Sequence, residues 1–286
     1  VVTFRELPFV KGHGTENDFV IIPDLDGQLD LTVEQIQWLC DRRRGIGADG
    51  VLRVVRTEHM GHEAGPWGVA EFFMDYRNGD GSLAEMCGNG ARVFVRYLHA
   101  AGLITRAEAV IGTRGGLRSC VIQDDGSITV DMGAATQPAI EPTVHLGSST
   151  WPAMAVLVPN PHAVAFVDDL DDLDALGCFD EAPTVGPDGA YPDGANVEFV
   201  VHRGPRHVAM RVHERGVGET RSCGTGACAV AWTARRRDEP GVTGETTYRI
   251  DVPGGSVTVT ESAAGAMLLT GPAELVARGT VLVPDL

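Results

Sequence analysis

The chain has 286 residues, 43% of them hydrophobic, enough to bury one large core or two medium ones, and its length favours two lobes. A formal net charge of −16 argues against a nucleic-acid partner, because phosphate binding needs clustered Lys and Arg. Lys11 is the only lysine and sits in no recognisable phosphate loop, which nearly closes a pyridoxal phosphate mechanism built on a Schiff-base lysine.

Along the chain, Leu7–Lys11 reads as a strand, Gly12-His13-Gly14 as a turn and Phe19–Ile22 as a second, apolar strand. Thr32 opens a helix pattern through Val33, Ile36, Leu39 and Cys40 that stops at Arg42-Arg43-Arg44-Gly45. Val51–Val55 and Val69–Met74 read as strands before the turn Asn78-Gly79-Asp80-Gly81-Ser82. Cys87-Gly88-Asn89-Gly90 then opens a buried helix over Ala91–Leu98 that ends near Gly102. Strands are expected at Ala109–Ile111, Leu117–Ile122 and Ile128–Met132, and the Pro/Gly/Ser/Thr-rich stretch to Pro152 is read as the lobe junction.

The second half repeats the theme. Met154–Val158 and Ala163–Val167 read as strands around an Asn160-Pro161-His162 turn. Asp168–Asp174 lacks the Gly and Glu of a Ca²⁺ loop and reads as a solvated helix start. Val197–Val201 and His207–Val212 form a β pair, and Cys223-Gly224-Thr225-Gly226 opens a helix over Ala227–Arg236. Strands at Thr246–Val252, Ser256–Thr260, Ala266–Leu269 and Ala273–Ala277 close the chain. Two Cys-Gly-x-Gly-Ala turns, about half a chain apart, suggest a duplicated α+β unit, although so short a match does not decide it.

Six cysteines (Cys40, Cys87, Cys120, Cys178, Cys223 and Cys228) are too few for a disulfide framework and lack metal-ligand spacing. No apolar run is long enough to span a membrane and no leader opens the chain, so free thiols in a reducing cytoplasm, without metal or membrane partner, are expected. Cys40, Cys120, Cys178 and Cys228 read as core or incidental. Cys87 and Cys223 differ, because each precedes a helix, where unpaired N–H groups and the helix dipole favour thiolate. The following glycines let a ligand approach the backbone, and the same N–H groups can hold a carboxylate. One such turn alone would read as a structural helix start. Two facing each other would let one sulfur remove a proton from a stereocentre while the other returns one, with the carbanion held as an enediolate-like carboxylate. A dithiol redox centre and plain packing are the competing readings.

The motifs that surround these turns resemble those of the diaminopimelate epimerase family across most of the chain. They are Gly12-His13-Gly14-Thr15-Glu16-Asn17-Asp18-Phe19, Arg44-Gly45-Ile46-Gly47-Ala48-Asp49-Gly50, Asn78 to Ser82 leading to Met86-Cys87-Gly88-Asn89-Gly90-Ala91-Arg92, Asn160-Pro161-His162, Asp193-Gly194-Ala195-Asn196, and Glu214-Arg215-Gly216-Val217-Gly218-Glu219-Thr220 leading to Cys223-Gly224-Thr225-Gly226. The resemblance implies interconversion of LL- and meso-diaminopimelate, in lysine and peptidoglycan precursor synthesis, by a homodimer that needs no cofactor. It implies an α+β fold of two pseudo-symmetric lobes, each a mostly antiparallel sheet wrapped around a central helix. The lobes are expected at residues 1–133, joined by 273–286, and 134–272. Cys87 and Cys223 would be the catalytic acid/base pair, with His162 and Glu214 in support. Gly88, Asn89, Gly224 and Thr225 would bind the reacting carboxylate, and Asn17, Asn78, Asn160, Asn196, Glu214 and Arg215 the rest of the substrate. Two positions depart from the pattern: Gly50, where many relatives carry Gln, and Pro159, where Gly commonly precedes Asn-Pro-His. A racemase for another amino acid on the same fold is the alternative enzyme reading.

Overall fold

In a computed structural model, the described residues are 3–61, 65, 69–177, 179 and 181–285; Cys178 lies outside them. The fold is α+β, with mostly antiparallel strands and few helices, and the chain divides into two compact units. One comprises Val1–Val130 and Pro272–Leu286, the other Asp131–Gly271.

In the first unit β1 (Phe4–Gly14), β2 (Asn17–Pro23), β3 (Gly50–Arg56), β4 (Phe72–Asn78), β5 (Glu108–Thr113), β6 (Gly116–Ile122) and β7 (Ile128–Ala134, which leaves the unit at Val130) surround α1 (Val33–Cys40) and α2 (Gly88–Ala100). Pairing is antiparallel for β1–β2, β3–β4, β5–β6 and β6–β7 and parallel for β2–β3 and β4–β5. The C-terminal strand of this unit (Glu274–Pro284) pairs antiparallel with β1. Helix α2 packs on β1, β2, β3, β4 and that strand, and Gly88–Val95, Tyr97 and Leu98 are all buried. A helix buried on all sides draws its stability from packing rather than from an amphipathic stripe. Even Arg92 on α2 is fully buried; its Nε donates to the Pro272 carbonyl at 3.2 Å and Nη2 to Thr15 Oγ1 at 3.2 Å.

In the second unit β8 (Thr143–Leu146), β9 (Ser149–Val158), β10 (Asn160–Phe166), β11 (Thr184–Gly186), β12 (Asn196–Gly204), β13 (His207–Glu214), β14 (Gly218–Thr220), β15 (Thr246–Val252), β16 (Gly255–Glu261) and β17 (Ala266–Gly271) accompany α3 (Leu170–Ala175) and α4 (Gly224–Asp238); the returning strand is β18. Strand β10 runs parallel to β12, and β13 parallel to β15; β8–β9, β8–β11, β9–β10, β12–β13, β13–β14, β15–β16 and β16–β17 pair antiparallel. Helix α4 packs on β9, β10, β12, β13, β15, β16 and β17. Its basic C-terminal turn suits the helix dipole: the Arg236 guanidinium lies 3.5 Å over the Trp232 ring and shares Glu261 with Arg235.

Several expectations shift. Gly12–Gly14 belong to β1, and the chain reverses instead at Thr15 and Glu16, both at positive φ (51° and 61°). Glycines can lie in a strand, and register pairing of Gly14 with Asn17 leaves only these two residues for the turn. Asn160–His162 likewise begin β10 rather than forming a turn, because Val158 pairs with Asn160 and only Pro159 lies between the strands. The stretch read as a linker holds β8 and the start of β9, Ser149 to Pro152. Val69 is exposed and outside β4, and both buried helices begin at the glycines after the cysteine, three residues early. Asp169 caps α3, its carboxylate accepting from Asp172 N at 2.9 Å.

Candidate active site

In the first unit Cys87 is the N-cap residue of α2, with extended backbone (φ −140°, ψ 119°). Its Sγ accepts the Gly90 N–H at 3.3 Å, the position where Ser or Asp usually caps. Asn17, first residue of β2, has its amide fixed by Asp49: Nδ2 donates to Asp49 Oδ2 at 2.7 Å. Its Oδ1 therefore turns toward the helix start, where it accepts from Asn89 Nδ2 at 3.1 Å and lies 3.7 Å from the Cys87 sulfur. Behind it stands an ionic group. Asp18 binds Lys11 at 2.6 Å and Arg42 at 2.8 Å, and Arg42 also reaches Asp49 at 2.9 Å. Burial alone would raise the Asp18 carboxyl, but Arg42 and Lys11 outweigh it and hold it down at about 2. Lys11, the sole lysine, is thus a structural cation. Asn78, last residue of β4, sends its amide to Ser82 Oγ at 3.0 Å.

Gly50 pairs with Asn78, and a Cβ there would meet the Arg77 carbonyl at 2.5 Å and the Tyr76 ring at 2.6 Å. The departure at Gly50 is therefore matched by its surroundings, since Tyr76 takes the space a larger side chain would need.

In the second unit Cys223 repeats the cap on α4 (φ −122°, ψ 117°), its Sγ accepting the Gly226 N–H at 3.3 Å and lying 3.4 Å from Thr225 Oγ1. Here the surroundings differ sharply from those of Cys87. Cys223 is buried, Asn196 Nδ2 lies 3.9 Å from its sulfur, and Asn196 Oδ1 accepts the Arg215 N–H at 2.9 Å. Glu214 closes β13 beside the thiol and accepts the Thr220 hydroxyl. Burial raises the Glu214 carboxyl above the ordinary range, with the neighbouring Glu198 adding to it. Burial, then Glu214 and Glu198, push the Cys223 thiol well up, against the pull of the Thr225 and Gly226 hydrogen bonds. A helix N-terminus alone would favour thiolate; burial first, and then the two flanking carboxylates, push the thiol the other way.

His162 is fully buried, with Nδ1 2.6 Å from Glu198 Oε1 and Nε2 3.2 Å from Asn160 Oδ1. Arg215 is exposed, its stem lying over Gly194 and its Nη1 donating to the Asp193 carbonyl at 3.2 Å. One unit thus gathers Asn17, Cys87, Gly88 and Asn89; the other gathers Asn160, His162, Asn196, Glu214, Arg215, Cys223, Gly224 and Thr225. Two participants were missed from sequence. Asp49 lies inside a quoted motif and could have been noticed as the acid beside Gly50. Glu198 is the one charged residue in Asn196-Val197-Glu198-Phe199-Val200-Val201, an anomaly in an otherwise apolar strand. Among the described residues no group of three or more His, Cys, Asp or Glu is placed to hold a metal, and no helix is long and apolar enough to cross a membrane.

A family profile described as diaminopimelate epimerase matches residues 9–138 and 154–276. The chain is 56% identical to a diaminopimelate epimerase from Streptomyces coelicolor, over 96% of this chain and 94% of that one. It is 48% identical to another from Mycolicibacterium smegmatis, over 95% of each. Among solved structures, a hydroxyproline epimerase from Agrobacterium vitis with bound trans-4-hydroxy-L-proline superposes with a TM-score of 0.66 at 16% identity, covering 98% of this chain and 94% of that one. A phenazine biosynthesis protein from Bacillus anthracis gives a TM-score of 0.70 at 16% identity, covering 98% and 100%. At such identity these two structures speak for the fold alone.

Proposed function

The chain belongs to the diaminopimelate epimerase family, and from that premise we propose that Cys87 and Cys223 are the acid and base that invert an α-carbon of diaminopimelate without a cofactor. Its activity is that of a diaminopimelate epimerase, an isomerase of lysine biosynthesis. The observation that carries the residue assignment is the repeated cap: in each unit a sulfur sits 3.3 Å from the third N–H of a buried helix.

The step balances as follows. A cysteine thiolate takes the α-proton, the C–H electrons pass into the carboxylate as an enediolate, and the other cysteine's S–H gives its proton to the opposite face of the carbon. The roles exchange in the reverse direction. The first-turn N–H groups of Gly88, Asn89, Gly224 and Thr225 donate to the carboxylate as its charge grows. Cys223 is the thiol at rest, and Glu214 beside it exchanges its proton; His162 supports that exchange. Asn17, Asn78, Asn160 and Asn196 hold the substrate. Arg215 grips the distal carboxylate, where its planar fork offers two parallel hydrogen bonds.

Turnover of LL-diaminopimelate in D₂O tests this reading. Product should carry deuterium at the inverted carbon, and protiated product throughout would overturn it. In the same assay Arg215→Ala should need about tenfold more substrate for half-maximal exchange, the loss of one charge-assisted contact. Unchanged KM would favour a racemase for an amino acid with no second carboxylate.

We further propose a cytoplasmic homodimer, a state to which the exposed apolar side chains Phe4, Val276 and Leu282 of β1 and β18 lend support. Light scattering of the soluble fraction should give twice the 30.3 kDa of one chain, and a 30.3 kDa species at micromolar concentration would refute it.

A further inference from the structure

Glu198 neither touches substrate nor moves a proton in the chemistry described so far, yet it is the most deeply enclosed carboxylate near the Cys223 thiol. It lies on β12, fully buried, two residues after Asn196 and therefore on the same face of the strand. The parallel register sets His162 opposite Asn196, so the imidazole falls beside Glu198, and the two meet at 2.6 Å. The other carboxylate oxygen, also buried, has no hydrogen-bond partner among the described residues, which leaves the imidazole as the side-chain partner of Glu198. The contact also reaches α4: a Cβ at Gly226 would lie 2.8 Å from Glu198 Oε1 and 3.4 Å from the Cys223 sulfur. Gly226 is therefore the residue that lets this carboxylate approach the helix start closely.

We propose that Glu198 is a positioning residue of the Cys223 half of the epimerisation, clamping the His162 ring through Nδ1 so that its Nε2 edge is held toward the Asn160 amide. The proposal rests on the reading of Cys223 as acid/base and adds the group that orients its supporting histidine. A carboxylate oxygen accepts, so the hydrogen of this contact sits on Nδ1, and the contact fixes how the ring faces Asn160. A buried carboxylate kept against its desolvation cost in an otherwise apolar strand is accounted for by that function.

The groups that face Glu198 are His162 from β10, Glu214 from the end of β13, Cys223 before α4, and Tyr191 from the loop before β12. Burial and then the carboxylates hold Glu214 and Cys223 above their ordinary values, and removing the Glu198 charge lowers both. Glu198→Gln keeps the shape and an acceptor oxygen. It should lower kcat about 10- to 100-fold with little change in KM, as expected of misplaced catalytic geometry. Both limbs of the kcat/KM pH profile should move to lower pH, a shift that a packing role would not produce. In a His162→Asn background the same substitution should cost nothing further, because residues that act through one another are not additive. Wild-type kcat and pH limbs in the Gln variant, or additive losses in the double variant, would overturn the proposal. Should the Gln variant fail to fold, ¹⁵N-histidine NMR of the wild-type enzyme decides: Nδ1 of His162 is expected to bear the hydrogen shared with Glu198, and a bare Nδ1 would overturn it. Inversion of the α-carbon that persists at near wild-type rate in Cys223→Ala would instead sink the acid/base reading itself, so the two failures are distinguishable.

Discussion

Cys223→Ala and Cys87→Ala are each expected to lower turnover by at least about 10³-fold, the upper range for losing a positioned acid or base. The double variant should be no worse than either single one, since one thiol cannot invert a carbon alone and the two act as a unit. Each substitution also removes a helix cap, at about 1 kcal/mol, so thermal stability should fall modestly while activity collapses. Serine separates the two effects. Its hydroxyl can still accept the Gly90 or Gly226 N–H, but it is far too weak an acid to shuttle the proton, so Cys→Ser should restore stability and not rate. Steady-state assays beside thermal melts check both halves. A Cys223→Ala enzyme retaining a tenth of wild-type activity would refute the two-thiol assignment.

The largest effect on stability is expected at Asp75 of β4. Its carboxylate is almost fully buried and accepts from Arg53 Nε and Arg114 Nη2, each at 2.7 Å, while Arg53 also reaches Asp24 at 2.8 Å. Asp75→Ala would leave two half-buried guanidiniums side by side without their shared counter-charge, Arg53 keeping only Asp24, a loss of about 3 kcal/mol. The same group links stability to pH. Burial alone would raise the Asp75 carboxyl, but Arg114 and Arg53 outweigh it and hold it below the ordinary carboxylate range. A carboxyl depressed in the folded state contributes fully above its unfolded value near 4 and loses that contribution as pH falls below it. Urea melts at pH 7 and pH 3 should therefore show a larger gap between wild type and Asp75→Ala at pH 7. An equal gap at both would refute the electrostatic account.

Which of these features could be read before any coordinates? The strand and helix order was legible because apolar periodicity is strong in segments such as Phe19–Ile22 and Val197–Val201, and the epimerase family because its motifs are long and dense. Local turn signals misled. Gly12–Gly14 and Asn160–His162 carry turn-forming residues, yet both lie in strands, because cross-strand register decided where the chain reverses. The same limit hid the partners. Asn17 and Asp49 meet only through the parallel pairing of β2 and β3, and His162 and Glu198 only through that of β10 and β12. Spacing along the chain carries no trace of such contacts. Nor could it reveal that burial, with two carboxylates beside Cys223, would outweigh the helix start that, by itself, favours thiolate.

The cysteine caps carry one more consequence. In ordinary proteins the group that closes a helix keeps a constant charge, whereas in the acid/base role proposed for these cysteines it gains and loses a proton in every cycle. A thiolate accepts the Gly90 or Gly226 N–H more strongly than a thiol does, by the margin that separates charged from neutral acceptors. The first turns of α2 and α4 should then tighten and slacken in alternation, so that backbone breathing at two helix starts keeps time with the position of a single hydrogen.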